Sequence, residues 1–521
     1  MNRTLSFLLI GLFLILSCAK EDESGGLVST PSDSYSIALD FTRVPLVGLD
    51  DIDVVVSVKN NDVLAPGLTP TITLETGSKS TTLDNGDGTY SFRITPTQTG
   101  EHKVTASYGG ITFSRTPLVL YDVDAAWGQP MSIPGYVNTE GYEDGATVTA
   151  DGQYFFVQTG PQYHAGNEVM TNLCGGPVSR VGCSHVYLDT IPGPYTAPER
   201  PGFWDGRYSG TTILHNANSW GLVADQAPNY AVSTMFYGFK RQSDGSYKEP
   251  FYVDFSDVND GIITPFGLSF YLNGDGTALT TFTLEDPSIP GQNFDVYNST
   301  ITLGQNNNLG DFVADPTPGQ PPLRGATFNS NLIDFDNSGA TTIPGTQGNN
   351  HMHVVGGDVV SIWTDDEYDV GGDHGDLTVN LNNNSTISDG TLRGLSSSSW
   401  TSFQLPSKIN SVNDEVMPFF TGTGLYFARD TGKLEIYYAS YSGTHTQADL
   451  TNNANWGTPV KLLASDPSSA SLGRIVGLGE PTIATIDGEE YLYFVYVVFR
   501  AYDAAITVSD LNFQAGFIKK N

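Results

Sequence analysis

The chain has 521 residues, of which 57 are acidic and 24 are basic, so its formal net charge at pH 7 is −33. A surface of that sign repels phosphate backbones, which argues against nucleic-acid binding. Only 16% of the residues are charged, whereas glycine (57), tyrosine (26) and phenylalanine (27) are abundant, as is typical of short strands joined by tight turns. The length exceeds that of one ordinary domain. We therefore expect an all-β protein of two or more domains.

The first 17 residues have the features of a signal peptide. Asn2 and Arg3 precede an apolar run over residues 5–16, which is too short to span a bilayer comfortably. Ser17 and Cys18 follow directly. This arrangement resembles the lipobox of bacterial lipoproteins, in which the cysteine becomes the lipidated first residue. The resemblance implies that Cys18 carries a lipid anchor.

Residues 18–34 are predicted to form a flexible linker, because they are rich in Gly, Ser and Pro. Lys20 is followed by three acidic residues, 21–23. That sequence resembles the tag that sends some Gram-negative lipoproteins to the outer face of the outer membrane. It implies an outer-membrane protein that is lipid-anchored and exposed on the cell surface; a merely solvated linker is the alternative.

Residues 35–122 are predicted to form the first folded domain. Segment 51–58 alternates apolar and polar residues as half-buried strands do, and the Asn-Gly and Asp-Gly pairs of 84–90 favour a tight hairpin. Residues 84–114 resemble the second half of a filamin-type immunoglobulin-like repeat. The resemblance implies a sandwich that has no catalytic residue and acts as a spacer or interaction domain.

Residues 123–521 contain a diffuse internal repeat. Its clear copies begin at Glu143, Glu415 and Glu480, and each consists of an acid, a short strand, a turn and an aromatic strand. A weaker copy begins at Pro265. A tryptophan precedes each clear copy: Trp127, Trp400 and Trp456.

These copies resemble the TolB-like propeller repeat, which implies a β-propeller. Glu415 and Glu480 are 65 residues apart, and the 122 residues from Glu143 to Pro265 are about twice that pitch. The pitch predicts about six blades, with five or seven remaining open.

In a propeller, the inner strands surround a central channel where ligands usually bind. The acids at the start of these strands are Glu143, Asp144, Glu415 and Glu480. Paired carboxylates could act as general acid and base in glycoside cleavage. The alternative is that each acid caps neighbouring backbone amides and recurs because the blade recurs.

Cys174 and Cys183 are the cysteines that remain after Cys18, and in an exported protein they predict a disulfide. Histidine, tyrosine and arginine side chains close to this pair could abstract a proton beside a uronate carboxylate and neutralise that carboxylate, as in a polysaccharide lyase. Ordinary hydrogen bonding in loops is the alternative. The candidate side chains are His164, His185, Tyr163 and Arg180.

His351 and His353 would share one face of a strand, and His374 follows within a segment rich in Gly and Asp. Three histidines near carboxylates could bind a divalent metal such as zinc, and Asp-rich turns could bind calcium. The alternative is packed or exposed histidines and plain turns. We expect no required cofactor.

The sequence therefore predicts an all-β surface lipoprotein in which an immunoglobulin-like domain precedes a propeller. The function that we expect is binding of an extracellular ligand, a glycan above all, because the sequence contains a scaffold but no defined catalytic set. A glycan-cleaving lyase or hydrolase is the alternative, and an envelope protein that binds another protein is a third possibility.

Overall fold

The computed structural model describes residues 34–43, 49–138, 142–160, 235–254, 265–272, 277–285, 294–302, 324–327, 330–332, 347–355, 358–365, 375–382, 400–467, 473–501 and 509–521. Strands dominate these residues, and the one α-helix among them, α1, is the single turn Gln447–Leu450. No helix in this part of the chain is long and apolar enough to cross a membrane. The predicted all-β class is confirmed.

The N-terminal strands form a two-sheet sandwich. One sheet has the order β1-β2-β7-β5, with β3 and β6 paired at its margins, and the other has the order β10-β9-β4. Alternate residues of β2 are buried, as period two requires, and they pack against apolar residues of β9 in a single core. The immunoglobulin-like assignment of 35–122 stays a prediction. The strands of these two sheets are β1 (Tyr35–Arg43), β2 (Ile52–Asn60), β3 (Val63–Leu64), β4 (Thr71–Leu74), β5 (Ser78–Lys79), β6 (Leu83–Asp84), β7 (Thr89–Thr95), β9 (Val104–Tyr108) and β10 (Ile111–Arg115). A third, two-stranded sheet beside them consists of β8 (Gly100–Glu101) and β11 (Leu118–Val119).

The remaining strands form five sheets, which we call blades 1 to 5 in the chain order of their first strands. Blade 1 is β14 (Tyr142–Val148), β15 (Tyr154–Gly160), β16 (Met235–Arg241), β17 (Tyr247–Asp254) and β21 (Arg324–Thr327). Blade 2 is β18 (Pro265–Leu272), β19 (Thr277–Glu285), β20 (Phe294–Thr302) and β22 (Ser330–Leu332). Blade 3 is β23 (Gln347–Val355), β24 (Asp358–Asp365), β25 (Asp376–Asn382) and β26 (Thr401–Gln404). Blade 4 is β27 (Asp414–Phe420), β28 (Gly424–Asp430), β29 (Leu434–Ser440) and β30 (Val460–Ala464), with β12 (Asp122–Val123) at its edge. Blade 5 is β31 (Ile475–Ile486), β32 (Glu489–Ala501), β33 (Ser509–Lys519) and β13 (Met131–Ser132).

The first strands of the blades are the inner strands of a closed ring. β14 contacts β18, β18 contacts β23, β23 contacts β27, β27 contacts β31, and β31 contacts β14. The ring is closed by the chain's own N-terminal part, because β13 pairs with β33 and supplies the outer strand of blade 5. This connectivity is that of a β-propeller.

The described strands give five blades, within the predicted range of five to seven but below the central expectation of six. Residues 161–234, between β15 and β16, lie outside the described part of the chain. Over the 122 residues from Glu143 to Pro265, whose length predicts two repeats, the described strands form one blade.

Apolar side chains fill the space between adjacent blades. Phe155 and Tyr247 of blade 1 pack with Tyr493 of blade 5, and the Tyr247 and Tyr493 hydroxyls lie 3.0 Å apart. Burial raises the pKa of Tyr493 to about 12. Similar cores join blades 4 and 5 and blades 3 and 4. Packing between blades thus holds the ring together.

The sandwich is tied directly to blades 4 and 5. Thr99 Oγ1 donates to Asp466 Oδ2 (2.8 Å), which also accepts from Arg474 Nη1 (2.7 Å). The Tyr496 hydroxyl donates to Glu101 Oε1 over 2.5 Å. Because β12 and β13 between the two parts are themselves strands of blades 4 and 5, the connection is not a free hinge.

We predict that Tyr496→Phe loosens the sandwich as well as blade 5. The variant removes a hydrogen bond to a charged acceptor, which should lower the local free energy of opening by about 1.5–3 kcal/mol. Hydrogen exchange followed by mass spectrometry should show faster exchange in β8 and in β32. Thr105→Val is the control, since the Thr105–Ser114 contact lies inside the sandwich. Faster exchange in β32 alone would show that the two parts are not coupled.

Candidate functional site

Each inner strand carries a β-bulge at the same register, where two of its residues face one residue of the second strand. The bulge breaks the ladder of hydrogen bonds and turns the inner strand at this point. We call these five bulges, together with the residue before each, the axial rim. The bulged pairs, from blade 1 to blade 5, are Gly145–Ala146, Gly267–Leu268, Asn349–Asn350, Met417–Pro418 and Glu480–Pro481.

In blades 1, 4 and 5 the first bulge residue adopts a left-handed backbone conformation. Gly145 has φ of 61°, which glycine adopts without strain. Met417 and Glu480 have φ of 55° and 52°, a conformation that is rare for residues with a side chain. Blades 4 and 5 therefore hold strained residues where blade 1 has glycine.

Side chains at this position reach the next bulge around the ring. The Glu480 amide donates to Met417 Sδ (3.3 Å), and Glu480 Oε2 accepts from the Ala146 amide (2.7 Å). The bulges of blades 4, 5 and 1 are thus linked in series. The second of these contacts crosses the junction where the ring closes.

The second bulge residue explains why the Ala146 amide needs an acceptor. A bulge leaves the extra residue outside the regular ladder. Pro418 and Pro481 occupy the equivalent positions in blades 4 and 5 and have no N–H to satisfy. Blade 1 has Ala146 there, and the Glu480 carboxylate accepts its proton.

The register corrects one expectation about the recurring acids. Glu143 and Glu415 are equivalent, because each lies two residues before its bulge. Glu480 is itself a bulge residue, and Leu478 occupies the position that matches Glu143. The expected equivalence of Glu480 with the other two was wrong because an acid-and-strand pattern does not reveal a two-residue offset.

Glu143 lies in the interior between blades 5 and 1. Its side chain is fully buried, and Gln514 Nε2 of β33 donates to Glu143 Oε2 over 2.9 Å. Burial of a carboxylate is tolerated where such donors are present. Its surroundings make it part of the interface between blades.

Glu415 is also fully buried and forms an ion pair with Arg429, whose Nε lies 2.6 Å from Oε1. The Ser411 amide and hydroxyl donate to the two carboxylate oxygens over 2.8 and 2.6 Å. Burial raises the pKa of Glu415, and the bonds from Ser411 and Arg429 oppose that rise. The carboxylate holds a loop and a strand of blade 4 together.

Asp144 differs from both, because it is only partly buried. It lies directly before the bulge and, as the strand neighbour of Glu143, projects to the opposite side. Among the five residues at this register it alone is ionisable; the others are Phe266, Gly348, Val416 and Gly479. Since Glu480 contacts Ala146, two residues beyond Asp144, the rim brings these two acids into one neighbourhood.

His351 and His353 lie on β23 and pack against blade 4. The Phe420 amide donates to His351 Nδ1 (3.0 Å), and the imidazole lies over Phe419 with ring centroids 4.0 Å apart. Burial, and secondarily His353, lowers the pKa of His351 to about 3. Burial, and secondarily His445, lowers the pKa of His353 to about 4. Both rings are neutral packing elements at pH 7.

Several predicted site residues lie outside the described residues, and their roles stay predictions. No group of three His, Cys, Asp or Glu side chains suited to a metal occurs within the part of the chain that is described. The residues outside that part are Cys18, Tyr163, His164, Cys174, Arg180, Cys183, His185 and His374.

Comparison with known proteins gives no family assignment. No protein-family model matches the sequence. No curated protein matches it either.

Solved structures that are similar include an N-acetylgalactosamine deacetylase from F. plautii (7% identity, TM-score 0.37), which covers 77% of this chain and 92% of its own. A family 117 glycoside hydrolase from the marine bacterium Zobellia galactanivorans has 9% identity and a TM-score of 0.35, and the match covers 75% of this chain and 89% of the hydrolase. An α-L-arabinofuranosidase from Lactobacillus brevis has 10% identity and a TM-score of 0.33, and the match covers 73% of this chain and 92% of the arabinofuranosidase. Because these TM-scores are low, the assignment of the propeller fold rests on the strand pairing described above.

We predict that Glu415→Ala destabilises the protein by about 3–5 kcal/mol, because it leaves the Arg429 guanidinium buried without its partner. The double variant Glu415→Ala with Arg429→Met should recover part of the loss, since it removes both charges. The measurement is thermal unfolding of wild type, of the single variants Glu415→Ala and Arg429→Met, and of the double variant. Additive losses in the double variant would contradict the pairing.

We predict that stability falls as the pH is lowered from 6.5 towards 4. An unfolded histidine takes up a proton near pH 6.5, whereas folded His351 does so only near pH 3. In that window the unfolded state binds more protons, so His351 contributes a loss of up to about 1.4 kcal/mol per pH unit.

The matched variant is His351→Asn, whose amide oxygen can accept the Phe420 proton in place of Nδ1. Unfolding by urea at pH 4.5, 5.5 and 7.5 should show a shallower pH dependence for the variant than for wild type. Equal slopes would mean that His351 is not buried as the neutral form.

Proposed function

We propose that the propeller binds an extracellular carbohydrate at the axial rim, where Asp144 and Glu480 contact the ligand. The observation that supports this is the contact of the Glu480 carboxylate with the bulge that directly follows Asp144, while Glu143 and Glu415 are buried in packing roles. Carboxylates are strong acceptors for sugar hydroxyls, since hydrogen bonds to a charged group are about twice as strong as neutral ones.

The overall charge narrows the ligand class. A protein of net charge −33 repels acidic polysaccharides and attracts cations. We therefore expect a neutral glycan or one that contains amino sugars. The lyase alternative would use an acidic substrate, and its candidate residues lie outside the described part of the chain.

Hydrolysis of a glycosidic bond is the second candidate, and the same two acids favour it. The Glu480 carboxylate is bonded to the Ala146 amide, in the bulge that directly follows Asp144. Glycosidases place their two carboxyl groups about 5–9.5 Å apart. The similar solved structures include carbohydrate-active enzymes, but their low scores add no weight to this candidate.

The proposal includes the location of the protein. Lipidation of Cys18 would anchor the chain in the outer membrane, and residues 18–34 would hold the folded part away from it. Surface display would give the axial rim access to extracellular glycans. A protein partner at the same rim is the remaining option.

We predict that Asp144→Asn and Glu480→Gln each weaken glycan binding by about 10- to 100-fold, because each removes a charged acceptor. A glycan array would identify a ligand for the purified protein lacking residues 1–18, and calorimetry would give the affinities. Asp487→Asn is the control, since this acid lies in the exposed turn between β31 and β32.

The same protein should be assayed for release of new reducing ends. Turnover by wild type that both rim variants abolish would replace binding with hydrolysis as the function. Binding that neither variant changes would exclude the axial rim. The absence of both binding and turnover across neutral and amino-sugar glycans would refute the proposal.

A further inference from the structure

We propose that Met417 is a positioning residue that fixes the Glu480 carboxylate at the ligand site, and that the strained bulges of blades 4 and 5 serve this purpose. The proposal rests on the proposed function, because it assigns Glu480 a ligand. Met417 itself would touch no ligand atom and would act through the backbone of the next blade.

The backbone of Met417 has a conformation that favours glycine. Its φ of 55° is one that glycine adopts freely, and Gly145 has φ of 61° at the matching position of blade 1. Glycine would therefore fit the Met417 bulge with less strain. A bulky residue in this conformation is an outlier that surrounding structure must hold in place.

The contact made by Met417 indicates what that role is. Its Sδ accepts from the Glu480 amide at 3.3 Å. The sulfur also lies against Gly479, where an added Cβ would be only 2.7 Å away. The thioether therefore fits over the peptide that joins Gly479 to Glu480, and it fixes the orientation of that peptide.

That peptide determines where the Glu480 side chain points. Glu480 has φ of 52°, and its carboxylate is bonded to the Ala146 amide of blade 1. A change in the peptide plane would swing the Cα–Cβ bond and move the carboxylate relative to Asp144. Met417, Glu480 and Ala146 thus form a chain of two successive contacts across three blades, which we call the relay.

A simpler account is that Glu480 serves only to satisfy the Ala146 amide. The fold contains another solution to that need, since proline occupies the position in blades 4 and 5. An Ala146→Pro variant would remove the N–H in the same way. The two accounts can therefore be separated experimentally.

We predict that Met417→Gly weakens glycan binding by roughly 3- to 10-fold, the effect of losing one neutral hydrogen bond in the relay, without lowering the melting temperature. The glycine relieves the strain at φ of 55°, so a loss of affinity with unchanged or higher stability indicates positioning. Met417→Leu keeps the bulk over Gly479 but removes the sulfur acceptor, and its affinity should fall between those of wild type and Met417→Gly. Affinity equal to wild type in Met417→Gly would overturn the proposal. Parallel loss of affinity and stability would also overturn it, since it would indicate packing alone.

The double variant Ala146→Pro with Glu480→Gln tests the role of the carboxylate. We expect it to be as stable as Ala146→Pro alone and still to bind about 10-fold or more weakly. Affinity equal to that of Ala146→Pro would show that Glu480 only caps the amide, which refutes the relay. If Asp144→Asn and Glu480→Gln in the wild-type background leave binding unchanged, the proposed function fails instead. The two failures are thus distinguishable.

Discussion

Closure of the ring between blades 5 and 1 is the constraint on which the rest of the structure depends. An open stack of sheets would leave the outer strand of blade 5 and the faces of blades 5 and 1 exposed to unintended pairing. β13 pairs with β33 at the outer edge, and the hydroxyls of Tyr247 and Tyr493 meet in the core between the blades. At the inner edge, the Glu480 carboxylate accepts a hydrogen bond from the Ala146 amide. The closure thus has an outer, a middle and an inner contact, each of a different chemical kind.

Because β13 belongs to the segment that leaves the sandwich, the N-terminal part of the chain takes part in that closure. The connection between Leu118 and Met131 runs along blades 4 and 5, and Leu118 and Trp127 belong to the core between them. A sandwich held in this way moves with the propeller. The junction between the two folded parts is therefore not a flexible spacer.

Acidic residues of similar sequence context have different roles, and the register decides which role each has. Glu143 and Glu415 lie two residues before their bulges, are fully buried, and are held by Gln514 and by Arg429. Asp144 projects to the other side of the same strand and stays partly exposed. One residue of displacement along a strand thus separates a packing role from a possible ligand role.

The sequence was sufficient for the class of fold and for the first two strands of blades 4 and 5, in which an acid and a short strand precede a turn and an aromatic strand. It was insufficient for blade 1, because the 122 residues from Glu143 to Pro265 predict two repeats by their length, whereas the described strands there form one blade. It also misaligned Glu480, since the residue type at a bulge does not reveal a positive φ unless that residue is glycine. Pro418 and Pro481 were the available signal, because aligning the two prolines restores the register of blades 4 and 5.

The bulges also show how a ring of similar blades acquires a direction. Glycine occupies the first bulge position in blades 1 and 2, whereas blades 4 and 5 have methionine and glutamate there. One side of the axial rim thus has glycine at this position, and the other has residues with a side chain. Asp144 lies on the glycine side and Glu480 reaches towards it from the opposite side of the closure. A ligand between them would meet a carboxylate from each side, so the proposed site is asymmetric despite the repeated architecture.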